Sequence, residues 1–83
     1  MNGPHWWQWE LKLTPHVEKR MAQRGFTEID LREMLDRRHR TRPDIEPGRW
    51  LVETRHRHTN WEVILEPDPE SRFVLVITAY QAT

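Results

Sequence analysis

His16, Arg20 and Arg24 stand at i, i+4 and i+8 in the stretch TPHVEKRMAQRGF, so on a helix they line up along one side. An imidazole exchanges protons near neutral pH and a guanidinium fork fits two oxygens of a phosphate, so the stripe can combine proton transfer with anion binding. It also reads as a solvated face whose arginines pair with Glu28 or another carboxylate for about 0 to 1 kcal/mol. A second set is His56 and His58 in RWLVETRHRH, which share one face of a strand with Trp50, Val52 and Thr54. Two neighbouring imidazoles could clamp a metal, but zinc takes at least three protein ligands and no third stands at a diagnostic spacing. Solvated strand-end histidines and an acid–base role are the other readings. In RFVLVITAY the two hydroxyl side chains, Thr78 and Tyr80, share a face with Val74 and Val76, a pattern that β propensity alone also produces.

The elements that position these residues are marked by their ends. Thr14 is suited to cap a helix that starts with Pro15, and Gly25 to stop it, which predicts a helix over residues 15–24 with Val17 and Met21 facing the core. Thr27, with Asp30 three residues on, opens a second helix over 28–38 that repeats apolar residues at Leu31, Met34 and Leu35. WQWELKL alternates Trp7, Trp9, Leu11 and Leu13 against Gln8, Glu10 and Lys12, the period of a half-buried strand. RHRTRPDIEPG has two prolines, a glycine and no periodicity, and reads as a loop. Runs 49–57, 61–67 and 72–80 read as an antiparallel meander with turns at Thr59-Asn60 and at PDPES. The order places two N-terminal helices on one face of an antiparallel three- to four-stranded sheet, an α+β domain whose other sheet face is open.

The 83 residues make one domain, 1–83, in the size range where a single core gives only a few kcal/mol of net stability. There is no cysteine, so neither disulfides nor thiolate metal sites support the fold. Five tryptophans compensate, since each buried one removes about 200 Å² from water. Trp50 and Trp61 read as core, while Trp6, Trp7 and Trp9 could be core, partner-binding or base-stacking. The longest apolar run, 73–77, is far short of the roughly 20 residues that span a bilayer. The first residues show no basic leader before an apolar stretch, which predicts a cytoplasmic protein with no membrane partner. Thirteen basic and thirteen acidic residues cancel, yet residues 37–57 carry seven arginines against three acidic residues. Such a local excess attracts phosphate even at zero net charge. Within it RRHRTR, 37–42, has no acidic residue; the helix macrodipole explains Arg37 and Arg38 better than Arg40 and Arg42.

The string TPHVEKRMAQRGFTEIDL, followed by a meander ending in ITAY, resembles a family of small bacterial domains related to the barnase/EndoU/colicin/RelE superfamily of ribonuclease-fold toxins. The likeness covers nearly all of residues 11–80. It implies a metal-independent, cofactor-free endoribonuclease of toxin type, with RNA lying across a cleft lined by the sheet and the first helix, and a cognate antitoxin or immunity protein as partner. His16 matches the motif histidine, Arg20 and Arg24 its two arginines, and Thr78 and Tyr80 its last-strand hydroxyl residues, which makes these five the expected catalytic set. His56 and His58 match no motif position. RNA cleavage without a metal needs a base for the 2′-hydroxyl proton, an acid for the leaving 5′-oxygen and cations for the charge growing on phosphoryl oxygens. Arg38, Arg40 and Arg42, with His56 and His58, are the expected RNA-binding surface. The competing expectation is a non-catalytic RNA- or protein-binding module of the same fold.

Overall fold

The computed structural model describes residues 5–82. A 3-10 turn, His5–Gln8, leads into β1 (Glu10–Leu13), α1 (Pro15–Arg24), α2 (Glu28–Asp36), β2 (Arg40–Pro43), β3 (Trp50–His56), β4 (Thr59–Asp68) and β5 (Phe73–Gln81). Both helices start as their sequences require. The Thr14 hydroxyl accepts from the Val17 amide, Gly25 closes α1 at φ 74°, and Thr27 and Asp30 form a reciprocal capping box on α2. That box holds the Asp30 carboxyl below its usual range, chiefly through the Thr27 backbone N–H.

The sheet has five strands in the order β1-β5-β4-β3-β2, and it is mixed: β1 runs parallel to β5 and every other pair is antiparallel. The expected α+β class with two helices therefore holds, while the antiparallel three- to four-stranded sheet is corrected. Val17, Met21, Leu31, Met34 and Leu35 of the helices meet Val52, Val63, Leu65, Val74 and Val76 of the sheet in one core.

Three local expectations are also corrected. Trp6 and Trp7 are both buried, which adjacent residues of a strand facing one core cannot be, so the chain there coils in a 3-10 turn and the strand begins only at Glu10. Arg32 of α2 fastens that turn by donating to the Trp7 and Trp9 carbonyls at 3.3 and 3.0 Å. The expected loop RHRTRPDIEPG contains β2, paired with β3 from Arg40↔Glu53 to Pro43↔Trp50. A short, charged edge strand ending in proline has little periodicity to show. The turn expected at Thr59-Asn60 lies instead at Arg57-His58, both at positive φ, and Thr59 and Asn60 pair in β4.

The strand that matters most for function breaks its own alternation. Leu65 pairs with Val76 and Ile64 with Thr78, so Ile77 is an extra residue in β5. This bulge lets Val74, Val76 and Ala79 all face the helices and turns Thr78 and Tyr80 to the opposite face. Thr78 and Tyr80 do share a face, as expected, but without Val74 and Val76.

Thr54, buried on the helix side of β3, donates its hydroxyl to the Met34 carbonyl in α2. Thr54→Val keeps the shape and strands that carbonyl, so urea unfolding followed by tryptophan fluorescence should show a loss of about 1 to 3 kcal/mol.

Candidate functional site

The last paired residues of β1 and β5 are Leu13 and Val76. Beyond them the first turn of α1 covers the edge of β5. The Thr14 amide donates to the Val76 carbonyl at 3.4 Å, and the Thr14 hydroxyl donates to the carbonyl of the bulge residue Ile77 at 3.2 Å. One side chain thus caps α1 and ties its start to the bulge. Two residues further along each segment, His16 Nε2 and Thr78 Oγ1 share a hydrogen bond of 3.1 Å, whose donor depends on the imidazole tautomer. His16 is exposed, as its place on the outer side of the first turn requires.

Tyr80 stands next along the same face of β5. Its partner across the ladder is Glu62, and the phenol donates to Glu62 Oε1 at 2.6 Å. That hydrogen bond, with partial burial and the negative charge of Glu62, pushes the Tyr80 hydroxyl up to about 12. Asp44 acts in the same direction and Arg42 against it. Tyr80 is therefore a neutral hydrogen-bond donor at any physiological pH. The row continues through Glu53, opposite Glu62, to Arg40, and the guanidinium of the neighbouring Arg42 lies 3.7 Å from the Glu53 carboxylate.

Because the chain has a single tyrosine, its ionisation can be followed directly by ultraviolet absorbance. The midpoint should lie near 12 in the native protein and fall back toward about 10 in Glu62→Gln. The folded value exceeds the unfolded one of about 10, so the stability that this contact contributes is complete below pH 10 and is lost as pH rises through about 12. A midpoint unmoved by Glu62→Gln would mean that the carboxylate does not hold the phenol.

The other expected site residues fall into separate places. Arg20 lines a shallow depression of about 190 Å³ on α1 together with His16, Lys19 and Gln23. Arg24 is exposed in the last turn of α1 and outside that lining. Arg38, Arg40 and Arg42 are held by different contacts. Arg38 stacks 3.9 Å from the Trp7 ring and donates to the Leu35 carbonyl, which closes α2. Arg40 and Arg42 lie on β2, with Arg42 against Glu53. His56 and His58 do not stand side by side, because the strand ends between them. His56 packs on Phe26 with ring centroids 5.5 Å apart, whereas His58 sits in the hairpin turn. Neither meets two further metal-binding side chains among the described residues. Glu62 is the member of the cluster that sequence reasoning missed, since its role follows from its register opposite Tyr80.

A family model described as a domain of unknown function, DUF4258, matches residues 13–81 of the chain. No curated protein and no solved structure matches it.

Proposed function

The chain belongs to the DUF4258 family, a domain of unknown function, and from its own side chains we propose that it is a metal-independent endoribonuclease of toxin type. The observation that carries this reading is the convergence of His16, Thr78, Tyr80 and Glu62 at the β5 bulge, where α1, β4 and β5 meet. His16 and Glu62 offer one general acid and one general base, the minimum for cleavage by attack of a neighbouring hydroxyl. The Glu62 carboxylate takes the proton of the ribose 2′-hydroxyl as its oxygen attacks phosphorus. The His16 imidazolium gives a proton to the 5′-oxygen as the P–O5′ bond breaks. The products are a 2′,3′-cyclic phosphate and a 5′-hydroxyl. Arg20, in the depression beside His16, offsets charge on the phosphoryl oxygens, the Thr78 hydroxyl donates to them, and the Tyr80 phenol can do so once Glu62 has taken up its proton and no longer needs that hydrogen bond. Release of such an activity in a cell calls for an inhibitory partner, and a cognate antitoxin or immunity protein fits that role.

Incubation of the purified protein with total RNA in the presence of EDTA tests the proposal. Cleavage that persists with chelator and leaves cyclic-phosphate ends supports it. Intact RNA bound by the folded protein would favour the non-catalytic module, and cleavage abolished by EDTA and restored by zinc would overturn the metal-free mechanism.

A further inference from the structure

A second concave surface lies at the same end of the sheet, outside the cluster around His16. Arg37 at the end of α2, His39 before β2, Arg55 near the end of β3, and Arg57 and His58 at the hairpin tip surround a cleft of about 540 Å³. Its lining contains no carboxylate. Arg42 and Arg49 pair with Glu53 and Glu66, but among the described residues none of the five cleft side chains makes an ion pair. Arg37 donates only to the Glu33 carbonyl, at 3.4 Å. The Asp30 carboxylate senses the charge of Arg57 but is committed to the Thr27 amide at 2.9 Å. Three guanidiniums and two imidazoles therefore face solvent with no ion-pair partner among the described residues.

The hairpin bears the same mark. Arg57 and His58 have φ of 51° and 66°, the two left-handed positions of a tight hairpin turn, where Asn-Gly is the favoured pair. Folding alone gives no reason to place an arginine and a histidine in that conformation, and strain of this kind is characteristic of binding and catalytic positions. Arg55 also continues the row from the catalytic cluster. Its partner is Asn60, and two residues back along the ladder Glu53 faces Glu62, which faces Tyr80. The cleft lies two strands, about 10 Å, and one pleat repeat, about 7 Å, from Tyr80.

We infer that this cleft is a phosphate-binding site for the backbone of a single-stranded nucleic acid, which holds the strand beyond the bond that His16 addresses. The inference rests on the ribonuclease reading only for the identity of that neighbouring bond. No tryptophan, tyrosine or phenylalanine lines the cleft, so it recognises phosphate rather than bases, and RNA and DNA of equal length bind it alike.

The test measures fluorescence anisotropy of labelled single-stranded RNA and DNA decamers over a range of salt, in a His16→Ala background that leaves RNA uncut. Two variants are compared with that background, Arg37→Ala/Arg55→Ala and Arg57→Asn/His58→Gly. Each should weaken both decamers at least several-fold and lower the slope of log affinity against log salt by about 0.7 for each arginine removed. Arg57→Asn/His58→Gly supplies the favoured turn pair and should melt no lower than its parent, so its loss of binding would not come from unfolding. Unchanged affinity and slope in the folded variants would overturn the inference, as would polyglutamate binding as tightly as the decamers. The two readings fail separately. Cleft-dependent binding by a protein that never cleaves RNA removes the ribonuclease and keeps the cleft, whereas unchanged binding by the cleft variants, with normal cleavage when the same substitutions are placed in the chain that retains His16, does the reverse.

Discussion

His16→Ala is expected to lower the initial rate of RNA cleavage by about 10²- to 10⁴-fold, the range for removing a positioned proton-transfer group. The structure separates this loss from unfolding. His16 is exposed, its side chain hydrogen-bonds among the described residues only to the Thr78 hydroxyl, and it lies off the Val17/Met21 stripe that anchors α1 to the core. The Thr14 cap and Pro15 remain, so the circular dichroism and melting curve of the variant should match those of the parent. Arg20 and Arg24 provide an internal comparison along the same helix. Arg20→Ala should reduce cleavage clearly, because it removes a cation from the depression beside His16, while Arg24→Ala should reduce it much less. Rates are best measured as initial velocities on an oligoribonucleotide with chelator present. Full activity in folded His16→Ala would remove the imidazole from the mechanism.

The legibility of these residues in the sequence followed the range of the interactions that define them. Thr14, Pro15, Gly25, Thr27 and Asp30 act on backbone groups within one helical turn, so both helices could be read from spacing alone. The strands depend on distant partners. That β1 would lie parallel to β5, 63 residues away at Leu11↔Val74, has no local signature. The Ile77 bulge is equally silent, because VLVITAY is apolar on both faces and alternation cannot show where the count slips. His16, Thr78 and Tyr80 could be singled out by residue type and motif. Glu62 could not, since it becomes significant only when the bulge sets it opposite Tyr80. The hairpin at Arg57-His58 escaped for the opposite reason, as its residues contradict the usual sequence signal for the turn they form.

Glu62→Gln tests the other half of the proton inventory and should also lower cleavage by about 10²- to 10⁴-fold. Glutamine keeps an oxygen that can accept from the Tyr80 phenol, so the variant removes the capacity to take up a proton with little change of shape. Tyr80→Phe separates positioning from proton transfer. It leaves the Glu62 carboxylate in place but deletes the hydroxyl held at 2.6 Å from it, so cleavage should fall less than in Glu62→Gln. The loss should approach about 10²- to 10³-fold if the phenol turns its hydrogen bond to the phosphoryl oxygens as Glu62 becomes protonated in the transition state. Because the phenol stays protonated to about pH 12, it cannot replace Glu62 as the base near neutrality, and a Glu62→Gln variant that retained the full rate would assign the base to another group.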